Sequence, residues 1–540
     1  MKAKQEGMQY LGRGVDIFTM EYDLEPDKDL VITLSEDMVS EQPLRKTCII
    51  LTEGSNFAEF THKLAVEVGL KGSYKAFTGS INTKFSSSAT ESINTKFIRL
   101  RNIVNATRLF IDRAILQARL TDSFTKAVEK AEGKDWAMTV LEEFGTHVVV
   151  KVDIGGSADY ICHSKATLSL TDEQFRASAQ AMYKSLGGSI EGNMKLTEEE
   201  KKSVNNVVGE TSLEVYGGGT SESQALRRQQ PDAWEKWAAS VDNSPALIGY
   251  PEDGLIPIWE LVQDQAKREA LKLAYKKKAA QQLKVEIFSK FCPASYRPEA
   301  QITVPKNYKL LSGGAKVTSN GPGMLLTASF PESDNTWRPL AKDHRQSDSG
   351  ELTVYAMALY DPDDLWEVKH FQATSAPEAH PHAEKTVDSG FVMVGGGAEV
   401  RWNGQGNMLT ASYPILEAPD SRTFNTWKAQ SKDHLTSDPA TITVYALGLH
   451  SKIGDYIKIN QNCENTTSPQ LSHPSATVVP GSGFVMVGGG AEVRGHDPGN
   501  MLTASYPKDS NQWTAQSKDH LESSPATITA YAVGIQVSVD

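Results

Sequence analysis

The chain has 540 residues, of which 39% are hydrophobic and 23% carry charge, and this composition excludes wholesale disorder and a fibrous repeat. Its length exceeds what a single hydrophobic core usually supports, which predicts at least two domains. The formal net charge of -12 provides no broad basic surface, which argues against nucleic acid as a partner and favours a specific receptor over charge-driven adsorption to anionic lipid.

The N-terminal segment MKAKQEGMQYLGRGVDIFTM begins with basic residues but lacks the apolar stretch that a secretory signal requires. We therefore expect release from the producing cell by another route. No window approaches about 18 consecutive apolar residues, so no transmembrane helix is predicted. Membrane insertion would have to use amphipathic β-strands, in which about 9 to 11 residues cross the hydrocarbon layer.

The first strand-like alternation spans residues 64–74, where Leu, Val, Gly and Tyr at even positions alternate with more polar neighbours. Soon after it the hexapeptide SINTKF occurs twice, at 80–85 and 92–97, and folding about the intervening SSSATE would pair the two copies as a hairpin. The candidates for a membrane-facing side of this region are Ile81, Phe85, Ile93 and Phe97.

Alternation returns after the heptapeptide FGTHVVV (144–150). Across 154–170 the even positions, which include Ile154 and Tyr160, form the less polar side. Such alternation is equally typical of a half-buried soluble strand, but these segments are richer in Gly, Ser and Thr than most core strands. The cleanest candidate membrane strand covers 186–196, with one side formed by Leu186, Gly188, Ile190, Gly192, Met194 and Leu196.

The region around these strand candidates also carries helix signals. TDEQ (171–174) and TEEE (197–200) fit the capping-box pattern before polar helical runs. A soluble monomer has to hide a future lipid-facing surface while its backbone hydrogen bonds stay satisfied. Short helices that later extend into paired strands would meet both needs, and the overlap of the two patterns therefore predicts a segment that converts.

Two further features precede the C-terminal half. Gly217, Gly218 and Gly219 allow positive φ and easy backbone rotation, which suits either a hinge or an ordinary loop. The Ala-, Leu-, Lys- and Gln-rich segment 263–283 predicts a helix. Beyond it the sequence becomes strand-rich and repetitive, which places the domain boundary near residue 290.

The C-terminal half contains a threefold internal repeat, with copies at about 300–360, 385–450 and 476–540. The segments VMVGGGAEV and TITVYALGL of the middle copy recur with few changes in the last copy. Because no single copy could bury its apolar face alone, we expect three sheets around a pseudo-threefold axis, a β-prism. Turns are expected at the glycine pairs and triplets 313–314, 395–397 and 488–490.

Lys-Asp-His recurs in each copy a few residues after a tryptophan. One interpretation is structural, with tryptophan in the sheet core and Asp or His bound to turn backbone; the other is contact with a receptor or glycan. A strand directs adjacent side chains to opposite faces, which makes a composite acid/base or metal site awkward. The candidates for receptor contact are Trp337, Asp343, His344, Trp427, Asp433, His434, Trp513, Asp519 and His520.

FGTHVVV resembles the signature of the membrane attack complex/perforin (MACPF) family through four directly matching residues, Phe144, Gly145, Thr146 and His147. That family places one convertible helical cluster before the signature, a second after it, and then a Gly-rich turn. The same order is found here at about 60–110, 165–210 and 217–219. The segment 244–262 resembles the family's final strand. The repeat half is similar to the β-prism of some bacterial members, and the combination resembles insecticidal MACPF toxins of Gram-negative bacteria.

The resemblance implies an α+β fold. A MACPF domain with a bent central antiparallel sheet between helical clusters would occupy 1–290, and an all-β prism that binds a receptor would occupy 291–540. It also implies a soluble monomer that binds a target-cell membrane, assembles into a ring with copies of itself and inserts two β-hairpins per subunit into a shared barrel, with insect midgut cells as the target.

The alternative is a non-lytic, cell-surface or glycan-binding adhesin with the same fold. A pore requires the charged side chains in the inserting regions to face water or the lumen, namely Glu67, Lys71, Lys84 and Glu191. No GxSxG, HExxH or supported carboxylate pair is present, and the four cysteines lack metal-ligand spacing. We therefore expect no enzymatic activity, no cofactor and no metal.

Overall fold

A computed structural model describes residues 2–44, 47–72, 74–130, 133, 135–165, 171–185, 197–230, 232–321, 323–418, 421–495 and 499–539. The chain divides into two compact units, Met1–Gln282 and Leu283–Asp540. The boundary therefore precedes residue 290. The reason is that strand Val285–Ser295 pairs along its length with Gly350–Tyr360, which belongs to the second unit.

The N-terminal unit combines helices with short and long strands. The helices are α1 (Lys2–Gly7), α2 (Phe57–Glu67), α3 (Lys75–Asn82), α4 (Ser87–Thr90), α5 (Asp122–Glu129), α6 (Trp136–Phe144), α7 (Asp172–Ser185), α8 (Glu198–Val207), α9 (Thr220–Arg227), α10 (Ala233–Ser240) and α11 (Gln265–Ala280). The strands are β1 (Gly14–Val15), β2 (Val39–Pro43), β3 (Thr47–Gly54), β4 (Phe97–Ile111), β5 (His147–Val149), β6 (Lys151–Ser164), β7 (Val208–Tyr216), β8 (Ala246–Gly249) and β9 (Leu255–Pro257).

Local sequence sets the start of several helices. Both predicted capping boxes are confirmed: Thr171 and Gln174 exchange hydrogen bonds before α7, and Thr197 and Glu200 do so before α8. The Asn56 side chain accepts a hydrogen bond from the backbone N–H of Glu59 and caps α2 in the same way. The helix predicted at 263–283 is confirmed as α11.

The central sheet is antiparallel and has the strand order β2-β4-β6-β7, with β3 also paired to β4 and β8 also paired to β6. A second, three-stranded sheet has the order β1-β5-β9. The central strands β4 and β6 pair from Phe97↔His163 to Phe110↔Lys151. They are the longest strands of the central sheet, and the two segments expected to convert from helix to strand lie at their ends.

Two strand predictions in the N-terminal unit are wrong for this structure. Residues 64–67 of the 64–74 segment lie in α2, and residues 80–82 of the first SINTKF copy lie in α3, so the two copies do not pair as a hairpin. Leu64 and Val68 are buried whereas Val66 is half exposed, which is a helical pattern of burial rather than an alternating one. Tertiary packing of that helical face overrides the alternation.

The C-terminal unit consists of strands. They are β10 (Val285–Ser295), β11 (Ile302–Thr303), β12 (Tyr308–Ser319), β13 (Leu325–Ser333), β14 (Thr336–Lys342), β15 (Gly350–Tyr360), β16 (Trp366–Thr374), β17 (His382–Thr386), β18 (Val392–Arg401), β19 (Asn407–Leu416), β20 (Phe424–Asp433), β21 (Thr441–Ser451), β22 (Ile457–Thr467), β23 (Ser475–Val478), β24 (Val485–Arg494), β25 (Asn500–Asp509), β26 (Gln512–Asp519) and β27 (Thr527–Val539).

The expected three sheets are confirmed, and each is shared between two repeats. Repeat one comprises β10–β15, repeat two β16–β21 and repeat three β22–β27. The sheets have the orders β10-β15-β12-β25-β26-β23, β11-β14-β13-β18-β21-β16 and β17-β20-β19-β24-β27-β22. Every repeat therefore gives half of its strands to a sheet that its neighbour completes, and we expect that no repeat folds without the other two.

The Gly-rich segments lie inside strands β12, β18 and β24, so the prediction of turns is wrong. Glycine is needed there because a tryptophan approaches the backbone. A Cβ on Gly313 would lie 2.4 Å from the ring of Trp337, and one on Gly396 would lie 2.3 Å from the ring of Trp427. The same relationship joins Gly489 to the tryptophan of the third repeat.

Candidate functional site

Two helical clusters connect neighbouring strands of the central sheet. The first helical cluster (α2–α4) lies between β3 and β4, and the second helical cluster (α7 and α8) lies between β6 and β7. They cover opposite faces. Phe97 packs against Phe57 and Phe60 of the first cluster, whereas its neighbour Ile98 belongs to a core with Phe175 of the second. The pleat of β4 therefore directs alternate side chains into two separate cores.

The buried side of the first cluster repeats every four residues: Phe77, Ile81, Phe85 and Ala89 are all buried. A step of four keeps side chains on one face of a helix, and because four is even it also keeps them on one side of a strand. The second cluster has the same spacing in Phe175, Ala179 and Tyr183. The same apolar residues can thus serve a helix packed on the sheet and a strand with one apolar side.

The structure buries most of the predicted membrane-facing residues that it describes. Ile81, Phe97 and Ile154 are 0% exposed, and Tyr160 is 1% exposed. Phe85 is buried at the edge of the first cluster, while Ile93 is half-buried in the connection from α4 to β4. The segment 186–196, with its six candidates, lies outside the described residues.

A buried network of charges joins the first cluster to the central sheet. The guanidinium of Arg99 on β4 is fully buried and pairs with the carboxylate of Glu67 on α2. Its Nη1 donates to the hydroxyl of Tyr22 over 3.2 Å, and that hydroxyl donates to Asp159 on β6 over 2.5 Å. Thr52 on β3 donates to Glu67 over 2.6 Å. Burial beside Asp159 raises the pKa of Tyr22 well above its usual value.

Sequence analysis missed this network, apart from Glu67. The available signal was the pair of arginines in the otherwise apolar run FIRLR at the start of β4. The second arginine, Arg101, donates from Nη2 to the carbonyl of Ile248, and its Nε lies 3.3 Å from Asp159. Charges this deeply buried are stable only when paired, so Glu67 and Asp159 are required by the two guanidinium groups.

Ion pairs at the surface also hold both clusters. Arg176 of α7 forms a bidentate pair with Glu53 at the end of β3, with N–O distances of 2.5 and 2.6 Å. Lys84 of the first cluster lies 2.7 Å from Glu214 on β7. The backbone N–H of Ser86 donates to the carboxylate of Glu210 over 2.7 Å. The second cluster is thus attached to β3, which precedes the first cluster in the chain. The first cluster is attached to β7, which follows the second cluster.

The strands that flank β4 and β6 change at one level of the central sheet. β2 pairs with the second half of β4 and β3 with its first half, while β8 and β7 divide β6 in the same manner. At this level Asn105 and Ala106 together oppose Gly155, and Asn105 has a φ of 49°. An inserted residue of this kind bends its strand and increases the local twist. The sheet therefore consists of two halves that meet at a bend.

The predicted hinge glycines lie beside this bend. Gly217 and Gly218 have φ values of 71° and 81°, whereas Gly219 has a φ of -61° and precedes α9. A Cβ on Gly217 would lie 2.5 Å from the carbonyl oxygen of Gly155, and one on Gly218 would lie 2.4 Å from the indole of Trp237. The indole N–H of Trp237 donates to the Gly217 carbonyl over 2.9 Å. Conformation and close approach both require glycine at the first two positions.

The signature residues connect strands within the N-terminal unit. Gly145 has a φ of 79°, and a Cβ there would lie 2.4 Å from the carbonyl oxygen of Val15. The backbone N–H of Thr146 donates to that same carbonyl over 2.8 Å. The hydroxyl oxygen of Thr146 accepts a hydrogen bond from the N–H of Ile17 over 3.1 Å. The Gly-Thr pair thus ties the N-terminal segment to the strand that follows α6.

The two flanking signature residues fill the same core. Phe144 is fully buried and packs edge-on against Phe124, with ring centroids 5.3 Å apart. The His147 ring packs against both Trp259 and Tyr275, at centroid distances of 6.0 and 5.9 Å. Burial lowers the pKa of His147 to about 3, so its imidazole is neutral at physiological pH. The four residues therefore have a structural role in the core of the N-terminal unit.

The tryptophans predicted for receptor contact lie inside the C-terminal unit, where Trp337, Trp427 and Trp513 are at most 1% exposed. Each indole N–H is satisfied by a serine hydroxyl, as in Trp427, which donates to Ser412 over 2.9 Å. A receptor cannot contact these rings in this conformation. Their positions match the structural role that the sequence left open.

The three histidines of the Lys-Asp-His triplets meet in the interior. The ring centroids of His344, His434 and His520 are 5.1 to 5.6 Å apart, and each side chain is at most 1% exposed. His434 Nε2 donates to the carbonyl of His520 over 2.7 Å, and His520 Nε2 donates to the carbonyl of His344 over 3.0 Å. These rings join the repeats and are also out of reach of a receptor.

The aspartates of the triplets are nearer the surface. Asp343, Asp433 and Asp519 are all partly exposed. Asp433 lies 3.5 Å from His380, and Asp519 lies 3.3 Å from His473. Of the nine predicted receptor-contact residues, the aspartates are therefore the ones that the structure leaves accessible.

None of the helices in the described part of the chain has the length and apolar character needed to span a lipid bilayer. Within the same described ranges, no group of three or more His, Cys, Asp or Glu side chains is arranged to hold a metal ion.

Comparison with known families matches the model of the MAC/Perforin domain to residues 4–284, which is more than half of the chain. The match contains the central sheet, both helical clusters, the glycine triplet and the signature. No curated protein gives a significant match to this sequence.

Three solved structures are similar to this chain. GNIP1Aa from Chromobacterium piscinae is 16% identical, and the match covers 72% of this chain and 77% of that chain with a TM-score of 0.41. A putative cell invasion protein with a MAC/Perforin domain from Bacteroides thetaiotaomicron is 15% identical, covering 49% and 60% at a TM-score of 0.36. Astrotactin-2, a vertebrate-specific perforin-like membrane protein, is 13% identical, covering 49% and 99% at a TM-score of 0.28.

Proposed function

This chain belongs to the MAC/Perforin family, and from that membership we propose that it is a pore-forming protein. In this proposal the C-terminal prism binds a receptor on a target cell, and bound monomers assemble into a ring. Each subunit then converts its two helical clusters into β-hairpins that line one shared barrel. The proposal includes no catalytic step and no cofactor.

The observation that carries the proposal is the four-residue spacing of apolar side chains in both helical clusters. Each cluster belongs to a connection of about 40 residues between adjacent antiparallel strands, so extension would lengthen the β3–β4 and β6–β7 pairs. About 9 to 11 residues per strand suffice to cross a bilayer, which such connections exceed. Spacing that fits both conformations is what a segment that converts from helix to strand needs.

The charge within the segment 77–85 fits the same arrangement. If Phe77, Ile81 and Phe85 face lipid in an extended strand, Lys84 and Asn82 have the opposite parity and face the lumen. Glu67, Lys71 and Lys75 share the parity of Phe77, so the proposal requires them to lie outside the hydrocarbon layer. A lumen-facing lysine meets the requirement that charged residues of the inserting regions avoid lipid. In an adhesin that never converts these helices to strands, nothing would require the charged and apolar side chains of this segment to alternate.

Closure of the barrel requires several subunits. Strands β3 and β7 are the outermost strands of one half of the central sheet. Edge strands present backbone N–H and C=O groups that can pair with another chain. Edge-to-edge pairing in a closed ring would satisfy them in the membrane, where an open edge is not tolerated. Insect gut cells as the target follow from the resemblance to insecticidal toxins and form the most specific part of the proposal.

A pair of adjacent substitutions tests insertion directly. Asn82 and Thr83 are both exposed at the end of α3, so lysine at either position should leave the soluble monomer intact. In the extended strand Thr83 shares the parity of Ile81 and Phe85, while Asn82 shares that of Lys84. A lysine facing lipid near the midplane costs about 2 to 4 kcal/mol per subunit. Dye release from vesicles made of target-cell membrane is the readout.

We expect Thr83→Lys to abolish dye release while Asn82→Lys retains it, with equal binding of both variants to the vesicles. Equal dye release by the two variants would contradict the assignment of this strand to the barrel. A wild type that binds these vesicles and never releases dye would establish the non-lytic adhesin instead.

A further inference from the structure

The three junctions between repeats of the C-terminal unit are built alike. At each one, β12, β18 or β24 lies in the same sheet as three strands that the preceding repeat contributes. Counting from the shared Gly-Gly-Ala of these strands, Ser319, Trp402 and Gly495 occupy equivalent positions in repeats one, two and three. The junctions differ in what this position carries.

At the junction of repeats one and two, the indole of Trp402 covers two cations of repeat one. The Nζ atom of Lys342 lies 4.0 Å from the ring centroid, and the guanidinium of Arg297 lies 5.6 Å from it. The two residues before Lys342 are apolar, Leu340 and Ala341. The chain thus places an aromatic ring of its own beside the cations of this junction.

At the junction of repeats three and one, a cleft of about 270 Å3 is lined by Ser319 in place of the tryptophan. Lys518 and His473 of its lining are the counterparts of Lys342 and Arg297. The residues before Lys518 are Gln516 and Ser517, which are polar, and both also line the cleft. This cleft therefore lacks both the indole and the two apolar residues that precede the lysine at the junction of repeats one and two.

The lining of this cleft provides hydrogen-bond donors and positive charge. Lys316 replaces Glu399 and Glu492 of the other repeats, and no carboxylate is among the lining residues. The carboxylate of Asp519 lies behind His473, 3.3 Å from its Nε2. The cleft also contains five hydroxyl side chains, those of Thr318, Ser319, Ser475, Thr503 and Ser517.

Two of these groups have unused hydrogen-bonding capacity. The hydroxyl of Ser517 is buried, with 3% of the residue exposed, and it has no hydrogen-bond partner among the described residues. The half-buried ammonium of Lys518 donates to the carbonyl of Gly321 over 3.2 Å, which uses one of its three protons. A buried polar group without a partner is costly, and a ligand that supplies acceptors would remove that cost.

We propose that this cleft binds one acidic saccharide unit, a hydroxyl-bearing ring with a carboxylate or sulfate group. The acidic group would pair with Lys518 and Lys316, where partial burial strengthens a charge-assisted hydrogen bond. The ring hydroxyls would pair with Ser517, Gln516 and the other hydroxyl side chains. This inference rests on the proposed function, because it names the class of receptor that the prism would recognise.

Binding is measured by isothermal titration of the full chain with sialyllactose, a sulfated heparin disaccharide, neutral lactose and inorganic sulfate. We expect at least one acidic saccharide to bind about tenfold or more tightly than lactose and sulfate, since a charged hydrogen bond and the ring contacts both contribute. Ser319→Trp, which imitates the filled junction, should lower that affinity by about tenfold or more. Lys508→Met, which removes an exposed charge of the same repeat, should bind as the wild type does.

Trp402→Ser is the matched control for the shape of the site. It removes the ring at the junction of repeats one and two, where Leu340, Ala341 and Glu399 remain, and it should gain no saccharide binding. Three results would overturn the proposal: none of the acidic saccharides binds, sulfate alone binds equally well, or Ser319→Trp binds as the wild type does. Thermal unfolding of each variant establishes that the prism is intact.

Two further measurements separate this site from its alternatives. If Ser319→Trp loses binding to phosphatidylserine vesicles that carry no glycan, the cleft recognises a lipid head group and the saccharide proposal is overturned. Dye release is scored independently. A wild type that releases dye but binds no acidic saccharide contradicts the site alone, whereas saccharide binding without any dye release supports the site and contradicts the pore.

Discussion

The carboxylate of Glu67, at the end of helix α2, pairs with the guanidinium of Arg99, which is fully buried on strand β4. This contact joins a segment proposed to leave the sheet to a strand proposed to stay in it. Arg99 has a second charged neighbour, because its Nη1 lies 3.8 Å from Asp159 on β6. Release of α2 therefore removes part of the compensation of a buried charge, which sets a barrier against premature conversion.

Glu67→Gln should loosen the first helical cluster. Removing one partner of a buried ion pair costs about 3 kcal/mol or more, because the remaining charge stays desolvated. We expect a lower unfolding temperature of the N-terminal unit and faster dye release. Asp122→Asn, which breaks an exposed pair with Lys126 on α5, is the control and should change neither quantity. A Glu67→Gln variant that unfolds at the wild-type temperature would show that the pair does not hold the cluster.

The glycine triplet allows a comparison within three residues. Gly217→Ala forces a non-glycine residue into the left-handed region and brings its Cβ to 2.5 Å from the Gly155 carbonyl oxygen. We expect a loss of stability of about 1 to 2 kcal/mol or more in chemical denaturation. Gly219→Ala, at a φ of -61°, meets only the flexible end of Glu222 and should change stability by less than about 0.5 kcal/mol. Equal losses would contradict the role assigned to the backbone conformation.

Acid should destabilise the C-terminal unit through His344. Burial, together with the nearby His520, His434, Lys342 and Arg345, lowers the pKa of His344 to about 3. Above the ordinary pKa of about 6.5 both folded and unfolded states are neutral at this residue. As the pH falls from there toward 3, His344 becomes protonated in the unfolded state and stays neutral in the folded state. Stability is therefore lost by up to about 1.4 kcal/mol per pH unit.

The measurement is urea denaturation of wild type and His344→Gln at neutral and mildly acidic pH. The variant should lose the part of the pH dependence that His344 contributes, so its stability should fall less on acidification. An unchanged slope would assign the acid sensitivity to other groups.

The thiols provide a reporter for release of the second helical cluster. Cys162 on β6 is 0% exposed in the core that contains Phe175 of α7, and burial raises the pKa of its thiol to about 12. It should resist maleimide before membrane contact, because the thiolate is the reactive form. Contact with target membranes should make Cys162 reactive, as peptide mapping by mass spectrometry would detect.

Cys463 is the internal control for this labelling. It is equally buried, in the C-terminal unit, and burial also raises its pKa to about 12. It should stay unmodified before and after membrane contact. Labelling of both cysteines on membranes would indicate general unfolding, and labelling of neither would argue that the second cluster stays docked.

Some features of this architecture could be predicted from short stretches of sequence. The capping residues Thr171 and Thr197 act on groups three residues away, so the starts of α7 and α8 were predictable. The three related copies, two of them nearly identical, predicted three sheets because equivalent segments bury equivalent faces. By contrast, alternation across 64–74 suggested a strand, since local pattern alone does not decide between two periodicities that share a four-residue step.

Sequence by itself indicated the family, the order around the Phe144–His147 signature of the two regions proposed to convert, the position of the glycine triplet and the threefold repeat. Tertiary structure decided where the side chains with the largest energetic consequence lie. It brought Glu67, Arg99 and Asp159 together from three elements, and it placed the repeat tryptophans and histidines inside the prism rather than on its surface. The physical reason is that burial and ion pairing depend on contacts between residues distant in the chain, which no local pattern records.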